Sequence, residues 1–211
     1  MLHEEDATFY TCASEAGACM FDTTPNDLMV AAMNTKDFDN LNLCGAYVKV
    51  NGPNGTSVNV RIVNLCPDCN EGHIDLSPSA FAQLADTSIG RIRVTWQVID
   101  YNVAGPIQYH FKEGSNQWWT AVQIRNHRYP IYSVEYLAGD NSFKKINRTN
   151  YNYFVQSNPG MGPGPYTFRV TDIYGHVVID SAITHVENGT IAANRSFLPA
   201  NSITTHSLLS H

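Results

Sequence analysis

Residues Arg91-Ile-Arg-Val-Thr-Trp-Gln-Val98 indicate a β-rich fold, because the even-numbered residues are apolar and the odd-numbered residues are polar. A period of two is typical of a β-strand with one buried face. Val58-Asn-Val-Arg-Ile-Val63 shows nearly the same alternation, and Asn51-Gly-Pro-Asn-Gly55 has the composition of a turn between strands. The first half of the chain is therefore predicted to consist mainly of β-strands.

Two short helices are expected within this half. The first would run from Pro25 to about Met33. The second would run from Pro78 to Ala85, with Ser77 as its N-cap and Pro78 at its first position, where proline's missing N–H does no harm.

A domain boundary is predicted at Tyr101-Asn-Val-Ala-Gly-Pro106, which separates a domain of residues 1–103 from one of residues 104–211. The second domain contains seven short strand-like segments with turn sequences between them, near 107–111, 119–124, 131–136, 143–146, 153–155, 166–170 and 177–179. Such a series favours an antiparallel sandwich of immunoglobulin type.

Charge is low and unevenly distributed along the 211 residues. Residues 1–103 carry 13 acidic and 5 basic side chains, net −8, and residues 104–211 carry 6 and 8, net +2. No part is basic enough to favour nucleic acid as a partner, and no apolar run is long enough to span a membrane. Few charges with many Tyr, Asn, Thr and Gly suit a surface that binds neutral glycans.

All five cysteines precede residue 70: Cys12, Cys19, Cys44, Cys66 and Cys69. Their clustering favours disulfides within one domain, and hence an oxidising compartment. The Cys66-Pro-Asp-Cys69 spacing also fits a zinc site, but a second ligand pair at suitable spacing is missing. With one thiol left over, two bridges allow fifteen arrangements, so the residues alone leave the connectivity open.

Two adjacent tryptophans, Trp118 and Trp119, lie in a polar stretch, and a Tyr-Asn-Tyr run begins at Tyr151. Aromatic rings that a core does not need can stack on the apolar face of a sugar. The alternative is burial: on a regular strand that continues the parity of Val122, Trp118 would point inward. Both rings can face solvent only if the strand begins or bulges between Trp119 and Thr120.

Asp75, in Gly72-His-Ile-Asp-Leu-Ser-Pro78, is the most specific polar feature of the first half. A carboxylate just before a helix can complement the helix dipole and accept backbone N–H groups. The functional alternative is an acid whose proton faces a glycosidic oxygen. Four of the eight histidines, His73, His110, His127 and His176, form no metal-ligand set by spacing and are expected to be structural or exposed.

Several motifs together resemble those of expansins. In the first half they are Ala7-Thr-Phe-Tyr10, Gly17-Ala-Cys19, Cys44-Gly45, Cys66-Pro-Asp-Cys69 and His73-Ile-Asp-Leu-Ser77. In the second half they are Lys112-Glu-Gly-Ser-Asn-Gln-Trp-Trp119, Gln123-Ile-Arg-Asn-His127, Tyr129-Pro130, Tyr151-Asn-Tyr-Phe-Val155 and Arg169-Val-Thr-Asp-Ile173. The resemblance spans roughly residues 5–185, and family-45 endoglucanases are similar to its first half.

The resemblance implies a mainly β fold: a six-stranded double-psi β-barrel followed by an immunoglobulin-like β-sandwich that serves as a carbohydrate-binding domain. Asp75 falls on the aspartate that expansins need for wall loosening. Thr8 falls on a polar groove residue, and either Tyr10 or Thr11 falls on the next groove position. The residues implied in glycan binding by the second domain are Lys112 and three surface aromatics, Trp118, Trp119 and Tyr151.

Two positions depart from the pattern of microbial expansins. Asn64 and Cys66 stand where most relatives have an aspartate and an aromatic residue, and an asparagine cannot ionise. Asn64 is expected to keep a hydrogen-bonding role in the groove. The resemblance also implies the disulfides Cys19–Cys44 and Cys66–Cys69, with Cys12 left over.

Hydrolysis by inversion would need two carboxyl groups, one as acid and one as base. Besides Asp75, the nearby carboxylates are Asp6, Asp22 and Asp68, and each is more simply interpreted as a loop residue. We therefore expect non-hydrolytic loosening of plant cell-wall cellulose. The alternatives are a glycan-cleaving enzyme, either an endoglucanase or a peptidoglycan lytic transglycosylase, and a pure cellulose-binding module.

The expected setting follows from this function. The protein is predicted to be a secreted, extracellular monomer that binds cellulose and other plant cell-wall glucans, without a cofactor or metal. The chain shows no signal peptide, and Met1 followed by Leu-His-Glu-Glu suggests a start codon placed on a mature chain.

Overall fold

The apolar side chains of Ile92, Val94 and Trp96 point into the core of a closed β-barrel. The computed structural model describes residues 1–10, 17–23 and 28–199. Six strands form the barrel in the order β1-β5-β2-β4-β3-β6. Their bounds are β1 His3–Phe9, β2 Val30–Asn34, β3 Tyr47–Asn51, β4 Ser57–Cys66, β5 Ile74–Leu76 and β6 Ile92–Val98. The β1–β5 and β2–β4 pairs are parallel and the other pairs are antiparallel.

The barrel core confirms the period-two pattern. Ile92, Val94 and Trp96 are buried, and Trp96 is inaccessible to solvent. The indole Nε1–H of Trp96 donates to the carbonyl oxygen of Gly72 at 2.7 Å, and the ring of His3 stacks on it at a centroid distance of 4.0 Å. This large ring thus gains both apolar burial and a partner for its one polar atom.

The helix predicted from Pro25 to about Met33 is wrong for the part that the structure describes. Val30–Asn34 forms strand β2, and residues 25–27 lie outside the described ranges. All five residues of β2 are buried, and the strand pairs with β5 along one edge and with β4 along the other. A strand buried on both faces shows no alternation, so its apolar run could be mistaken for a helix.

The helices of the first half lie elsewhere or end earlier than predicted. Helix α1 spans Thr35–Leu41 and begins where Oδ1 of Asn34 accepts the N–H of Asp37 at 3.0 Å. Helix α2 spans Pro78–Ala82, with Ser77 as N-cap as predicted.

Two sheets build the second half. One has the order β10-β9-β13-β14 and the other the order β11-β12-β8-β7-β15. The strands are β7 Gln108–Phe111, β8 Trp119–Arg125, β9 Ile131–Leu137, β10 Phe143–Lys145, β11 Asn147–Arg148, β12 Phe154–Ser157, β13 Tyr166–Asp172, β14 Val177–Ile183 and β15 Thr190–Ala192. All seven predicted segments form strands, and β11 and β15 are additional.

The predicted fold class is confirmed, since the two sheets enclose a shared apolar core. Tyr109, Phe111, Val122 and Phe168 are among its fully buried members. The predicted boundary segment lies between the end of β6 and the start of β7. The division into residues 1–103 and 104–211 stays a prediction. Among the described residues, no helix is long and apolar enough to cross a membrane.

Candidate functional site

Asp75 lies in a row of neighbouring residues on four adjacent barrel strands. In the parallel β1–β5 pair Thr8 is opposite Asp75, and in the β2–β5 pair Asp75 is opposite Ala32. Ala32 is in turn opposite Asn64 on β4, where the register shifts. We call these four residues, Thr8, Asp75, Ala32 and Asn64, the Asp75 row. The row lies outside the core because Ala7, Ile74 and Leu76, the sequence neighbours of Thr8 and Asp75, point into the barrel.

The side chain of Asp75 takes part in a chain of hydrogen bonds. Oγ1 of Thr8 donates to Oδ1 of Asp75 at 2.6 Å, and Nε2 of His73 lies 2.9 Å from the same hydroxyl. Because a hydroxyl has one proton and Thr8 gives it to Asp75, Nε2 of His73 carries the proton of the second bond. Burial, aided by the Arg91 guanidinium, lowers the pKa of His73, although the carboxylates of Asp75 and Asp6 oppose this effect. His73 is therefore neutral at neutral pH.

A buried polar cluster holds the loop that leads into β5. Oδ2 of Asp37 accepts the backbone N–H of Gly72 at 2.9 Å and the Nδ2–H of Asn34 at 2.8 Å. The same Nδ2 of Asn34 donates to the carbonyl oxygen of His73 at 3.0 Å. Asn34 and Asp37 are both buried, so these bonds strongly specify the path of the loop and the start of β5.

The structure separates the two interpretations of Asp75. The helix cap is Ser77, whose hydroxyl oxygen accepts the N–H of Ala80 at 3.2 Å. Asp75 instead lies in the middle of β5, half-buried, with Thr8 as its partner. The capping interpretation is therefore wrong, and the carboxylate remains a candidate for a functional role.

Asn64 has a structural role in addition to its place in the Asp75 row. Its Oδ1 accepts the backbone N–H groups of Ala18 at 2.8 Å and of Leu65 at 2.9 Å. Tyr10 follows β1 directly, and its backbone N–H donates to Leu76 at 3.0 Å while its side chain is half-buried. Thr11, the alternative to Tyr10, lies outside the described residues.

Two of the three other carboxylates are held in ion pairs. Asp6 is a β1 residue, not the loop residue that was predicted, and its Oδ2 lies 3.0 Å from Nη1 of Arg91. The hydrogen bond from Arg91 holds the pKa of Asp6 below its usual value. Asp22 pairs with Arg125 at 2.6 Å, and this bond likewise lowers its pKa. Asp68 lies exposed in the turn between two cysteines, as predicted.

Trp118 faces solvent because strand β8 begins one residue after it. Its side chain is 70% exposed, while that of Trp119, the first residue of β8, is half-buried. Oδ1 of Asn116 accepts the backbone N–H groups of Trp118 at 2.9 Å and of Trp119 at 3.1 Å, which turns the chain just before the strand. Because the strand starts only after Trp118, this residue does not follow the alternation that directs Thr120 and Val122 inward.

Tyr151 lies in the segment between β11 and β12 of the five-stranded sheet. Its ring is 6.0 Å from that of Tyr153, and the Nζ of Lys112 lies 5.9 Å above the Tyr153 ring. Strand β12 pairs Ser157 with Trp119, so Tyr153 is four residues from that pair, about 13 Å at 3.3 Å per residue. We call Trp118, Trp119 and Tyr151 the aromatic surface; their coplanarity stays a prediction.

Both implied disulfides are present, Cys19–Cys44 and Cys66–Cys69, each with Cα atoms 5.4 Å apart. Cys12 lies outside the described residues. Within the described ranges, no group of three or more His, Cys, Asp or Glu side chains could hold a metal ion.

Sequence reasoning missed the part that His73 plays beside Asp75. A signal was present, since residues two apart on an extended chain share a face, and His73 precedes Asp75 by two. Sequence reasoning also missed Gln123 and Asn152, two buried amides whose partner, Cys19, is more than 100 residues away from Gln123 along the chain. Nothing in the local pattern of either residue points to that partner.

Comparisons with known proteins identify the class. A family model described as "Lytic transglycolase" matches residues 26–96, within the barrel. The chain is 36% identical to Expansin-YoaJ of Bacillus subtilis over 196 residues, which cover 91% of this chain and 83% of the relative. The chain therefore belongs to the expansin family.

More distant relatives and solved structures agree. Expansin-like protein 3 of Dictyostelium discoideum is 31% identical over 84% of this chain, which spans 55% of that protein. The crystal structure of the apo expansin of Clavibacter michiganensis matches with a TM-score of 0.86 and 29% identity, covering 95% of this chain and 100% of the other. A variant of that expansin, solved in complex with cellohexaose, matches equally well.

Proposed function

We propose that this protein binds plant cell-wall cellulose and loosens the wall without cutting it. The observation that carries the proposal is the 2.6 Å hydrogen bond between Thr8 and Asp75, on the outside of a barrel joined to a sandwich with an exposed tryptophan. Membership of the expansin family supports it, as does the cellohexaose complex of the Clavibacter expansin.

In this proposal Asp75 and its neighbours grip a glucan chain. Thr8 donates to Oδ1 of Asp75, so we assign Oδ2 to accept a hydrogen bond from a hydroxyl group of the glucan. A carboxylate that one donor already orients needs little reorganisation to bind the next. Asn64, two strands away, is about 10 Å from Asp75 at the usual strand spacing, and we assign it to the same glucan chain.

The aromatic surface supplies attachment to cellulose. A flat ring buries the apolar face of a sugar with little loss of side-chain entropy, because few rotatable bonds are ordered. Trp118, at 70% exposure, has the most area to offer. Lys112, beside Tyr153, is assigned to hydroxyl groups at the edge of the bound chain.

The charge state of the neighbouring carboxylates supports action without hydrolysis. An inverting glycosidase needs a carboxylate base about 6.5–9.5 Å from its acid. Asp6 lies two residues before Thr8 on the same strand, but its bonds to Arg91 and Arg93 stabilise the ionised form and weaken it as a base. Asp22 is paired with Arg125 in the same way.

A second candidate is cleavage of a glycan, and one observation favours it. The family model that matches residues 26–96 is described as "Lytic transglycolase", and β2, β4 and β5, which carry most of the Asp75 row, lie within the match. A transglycosylase would use Asp75 as its acid and would need no activated water. Peptidoglycan is therefore a necessary substrate in the test.

The proposed setting is extracellular, with the protein acting as a monomer. Two disulfides in the barrel support an oxidising compartment. We further propose residues 1–103 as the unit that acts on the glucan and residues 104–211 as the unit that binds cellulose.

The test measures both the extension of cell walls and the cleavage of glycans. Creep of a stretched cell-wall strip is measured with and without the protein. Reducing sugars released from amorphous cellulose and soluble glycan fragments released from peptidoglycan, which a transglycosylase frees without a new reducing end, are measured in parallel. The proposal predicts creep without sugar release. Sugar release from either polymer at a rate that accounts for the creep would establish the second candidate instead, and cellulose retention without creep would leave a binding module.

A further inference from the structure

One barrel segment, residues 17–22, contacts both the Asp75 row and the sheet that carries the aromatic surface. The carbonyl oxygen of Cys19 accepts two hydrogen bonds from the sandwich. One comes from Nε2 of Gln123 at 2.9 Å and the other from Nδ2 of Asn152 at 3.1 Å. We call residues 17–22 the bridging segment.

The same segment is tied to the Asp75 row on its other side. The backbone N–H of Ala18 donates to Oδ1 of Asn64 at 2.8 Å, and that of Cys19 donates to the carbonyl oxygen of Val63 at 3.3 Å. Gly17 packs so closely on Asn64 and Val63 that a Cβ would clash with both. The Cys19–Cys44 disulfide adds a covalent link to the barrel. The bridging segment therefore moves with the row.

The two amides on the sandwich side are themselves held in place. Oε1 of Gln123 accepts from Nε of Arg125 at 2.6 Å, and Nη1 of Arg125 is 2.6 Å from Asp22, the last residue of the bridging segment. Oδ1 of Asn152 accepts from Nη2 of Arg148 at 3.3 Å. Each side-chain amide thus accepts from an arginine through its oxygen and donates to Cys19 through its nitrogen.

Burial makes this arrangement specific. Gln123 is inaccessible to solvent and Asn152 is 6% exposed, so a change in the orientation of the two halves would leave polar atoms buried without partners. An unpaired buried polar group is strongly disfavoured, whereas water can replace an exposed one. These contacts therefore resist the relative domain motion that is the usual expectation for two linked domains.

We propose that Gln123 and Asn152 are positioning residues: through Cys19 they hold the aromatic surface in a fixed place relative to the Asp75 row, so that one glucan surface engages both. The proposal rests on the proposed function. Tyr151 is next to Asn152 in the chain, and Asn64 touches the bridging segment, so the two binding regions approach each other at this contact. Once the aromatic surface has bound a polymer, a second site held at a matching spacing engages that polymer far more often than one that moves independently.

The test uses isosteric changes that remove both donors to Cys19, together with the 3.4 Å bond from Nε2 of Gln123 to the carbonyl oxygen of Asn152. Gln123→Glu combined with Asn152→Asp keeps an oxygen facing Arg125 and Arg148 but replaces each NH₂ group with a carboxylate oxygen. The matched control, Gln97→Glu with Asn147→Asp, makes the same change of charge at two exposed positions. Residual dipolar couplings of backbone amides show whether barrel and sandwich share one alignment tensor.

We expect one tensor for the wild type and the control, and two for the Gln123/Asn152 variant, with the amide shifts of each core retained. Creep should fall about tenfold or more in that variant, because the Asp75 row no longer engages a glucan that the aromatic surface has bound. Retention on cellulose should change less than about twofold, because it depends on the aromatic surface, which the variant keeps. A variant that keeps one tensor, or that gains two tensors with undiminished creep, overturns the proposal.

Two outcomes with the wild-type protein also bear on the proposal. Two independent tensors in the wild type would overturn the proposal without any variant, even if the variant failed to fold. If the wild type shares one tensor and the variant does not, but the wild type causes no creep, the positioning role stands and the proposed wall-loosening function fails.

Discussion

Oγ1 of Thr8 lies 2.6 Å from Oδ1 of Asp75, and the two residues are register partners in the parallel β1–β5 pair. The barrel topology makes this contact, because it places the first strand beside a strand 67 residues later. His73 completes the chain of bonds, so the orientation of the Thr8 hydroxyl is set from both sides. The carboxylate of Asp75 thus has one fixed oxygen and one that we assign to the glucan.

Thr8→Val tests the contribution of this hydroxyl, since valine keeps the shape and removes the donor. We expect creep to fall clearly while cellulose retention stays unchanged. The free energy of unfolding should fall by about 1–3 kcal/mol, because half-exposed Asp75 can turn to water but the Nε2–H of buried His73 loses its acceptor. Thr171→Val, on the sandwich, is the matched control. Wild-type creep by the Thr8 variant would show that Asp75 acts without this partner, or does not act.

Trp118→Ala should weaken binding without weakening the fold. The side chain is 70% exposed, so the free energy of unfolding should change by less than about 0.5 kcal/mol. Retention on cellulose should drop, and replacement of Trp118, Trp119 and Tyr151 together should abolish it. Trp96→Ala, at a fully buried ring, is the contrast and should cost about 3–5 kcal/mol. A comparable loss of stability from Trp118→Ala would contradict its assignment to the aromatic surface.

Stability should fall as the pH drops from neutrality. Burial lowers the pKa of His127 to about 4, against about 6.5 in an unfolded chain. The unfolded state therefore binds the extra proton between these values, and unfolding is favoured there. Full stability is expected above about pH 6.5, with a loss of about 3 kcal/mol from this residue once the pH is below about 4.

Denaturant unfolding at pH 7 and pH 4.5, combined with NMR titration of the His127 ring protons, measures this loss. Burial also lowers the pKa of His73 and of His110, which adds to the effect with the same sign. An unchanged free energy of unfolding across that range, or a titration midpoint of His127 near 6.5, would contradict the account.

Most of the fold was predictable because its strands bury one face. The alternation of Ile92–Val98 and the Ser77-Pro78 helix start are local signals, and the structure confirms both. Strand β2 was not predictable in this way, because residues on both of its faces are buried and its sequence therefore does not alternate. The alternation of side chains along a regular strand predicts that Trp118 points into the sandwich core. It faces solvent because β8 begins only at Trp119.

The sequence points to candidate site residues one by one, and their functional roles stay predictions, but it does not give their arrangement. The motif around Asp75 drew attention to that carboxylate, yet its bond to Thr8 depends on which strands pair. The same holds for Gln123 and Asn152, whose common partner is a backbone carbonyl in the other half of the chain. A hydrogen bond from a side chain to a distant backbone carbonyl produces no periodic pattern in the sequence, because every residue carries the same backbone carbonyl group.

The most direct test of the central claim is creep of a stretched cell-wall strip with Asp75→Asn, measured beside cellulose retention. The substituted amide would keep the shape of the side chain and could still accept from Thr8, so the fold should change little. The account predicts that creep is lost while retention stays within about twofold of the wild type, since binding at the aromatic surface is separate. Full creep by Asp75→Asn would contradict the account and show that the carboxylate of Asp75 has no part in loosening.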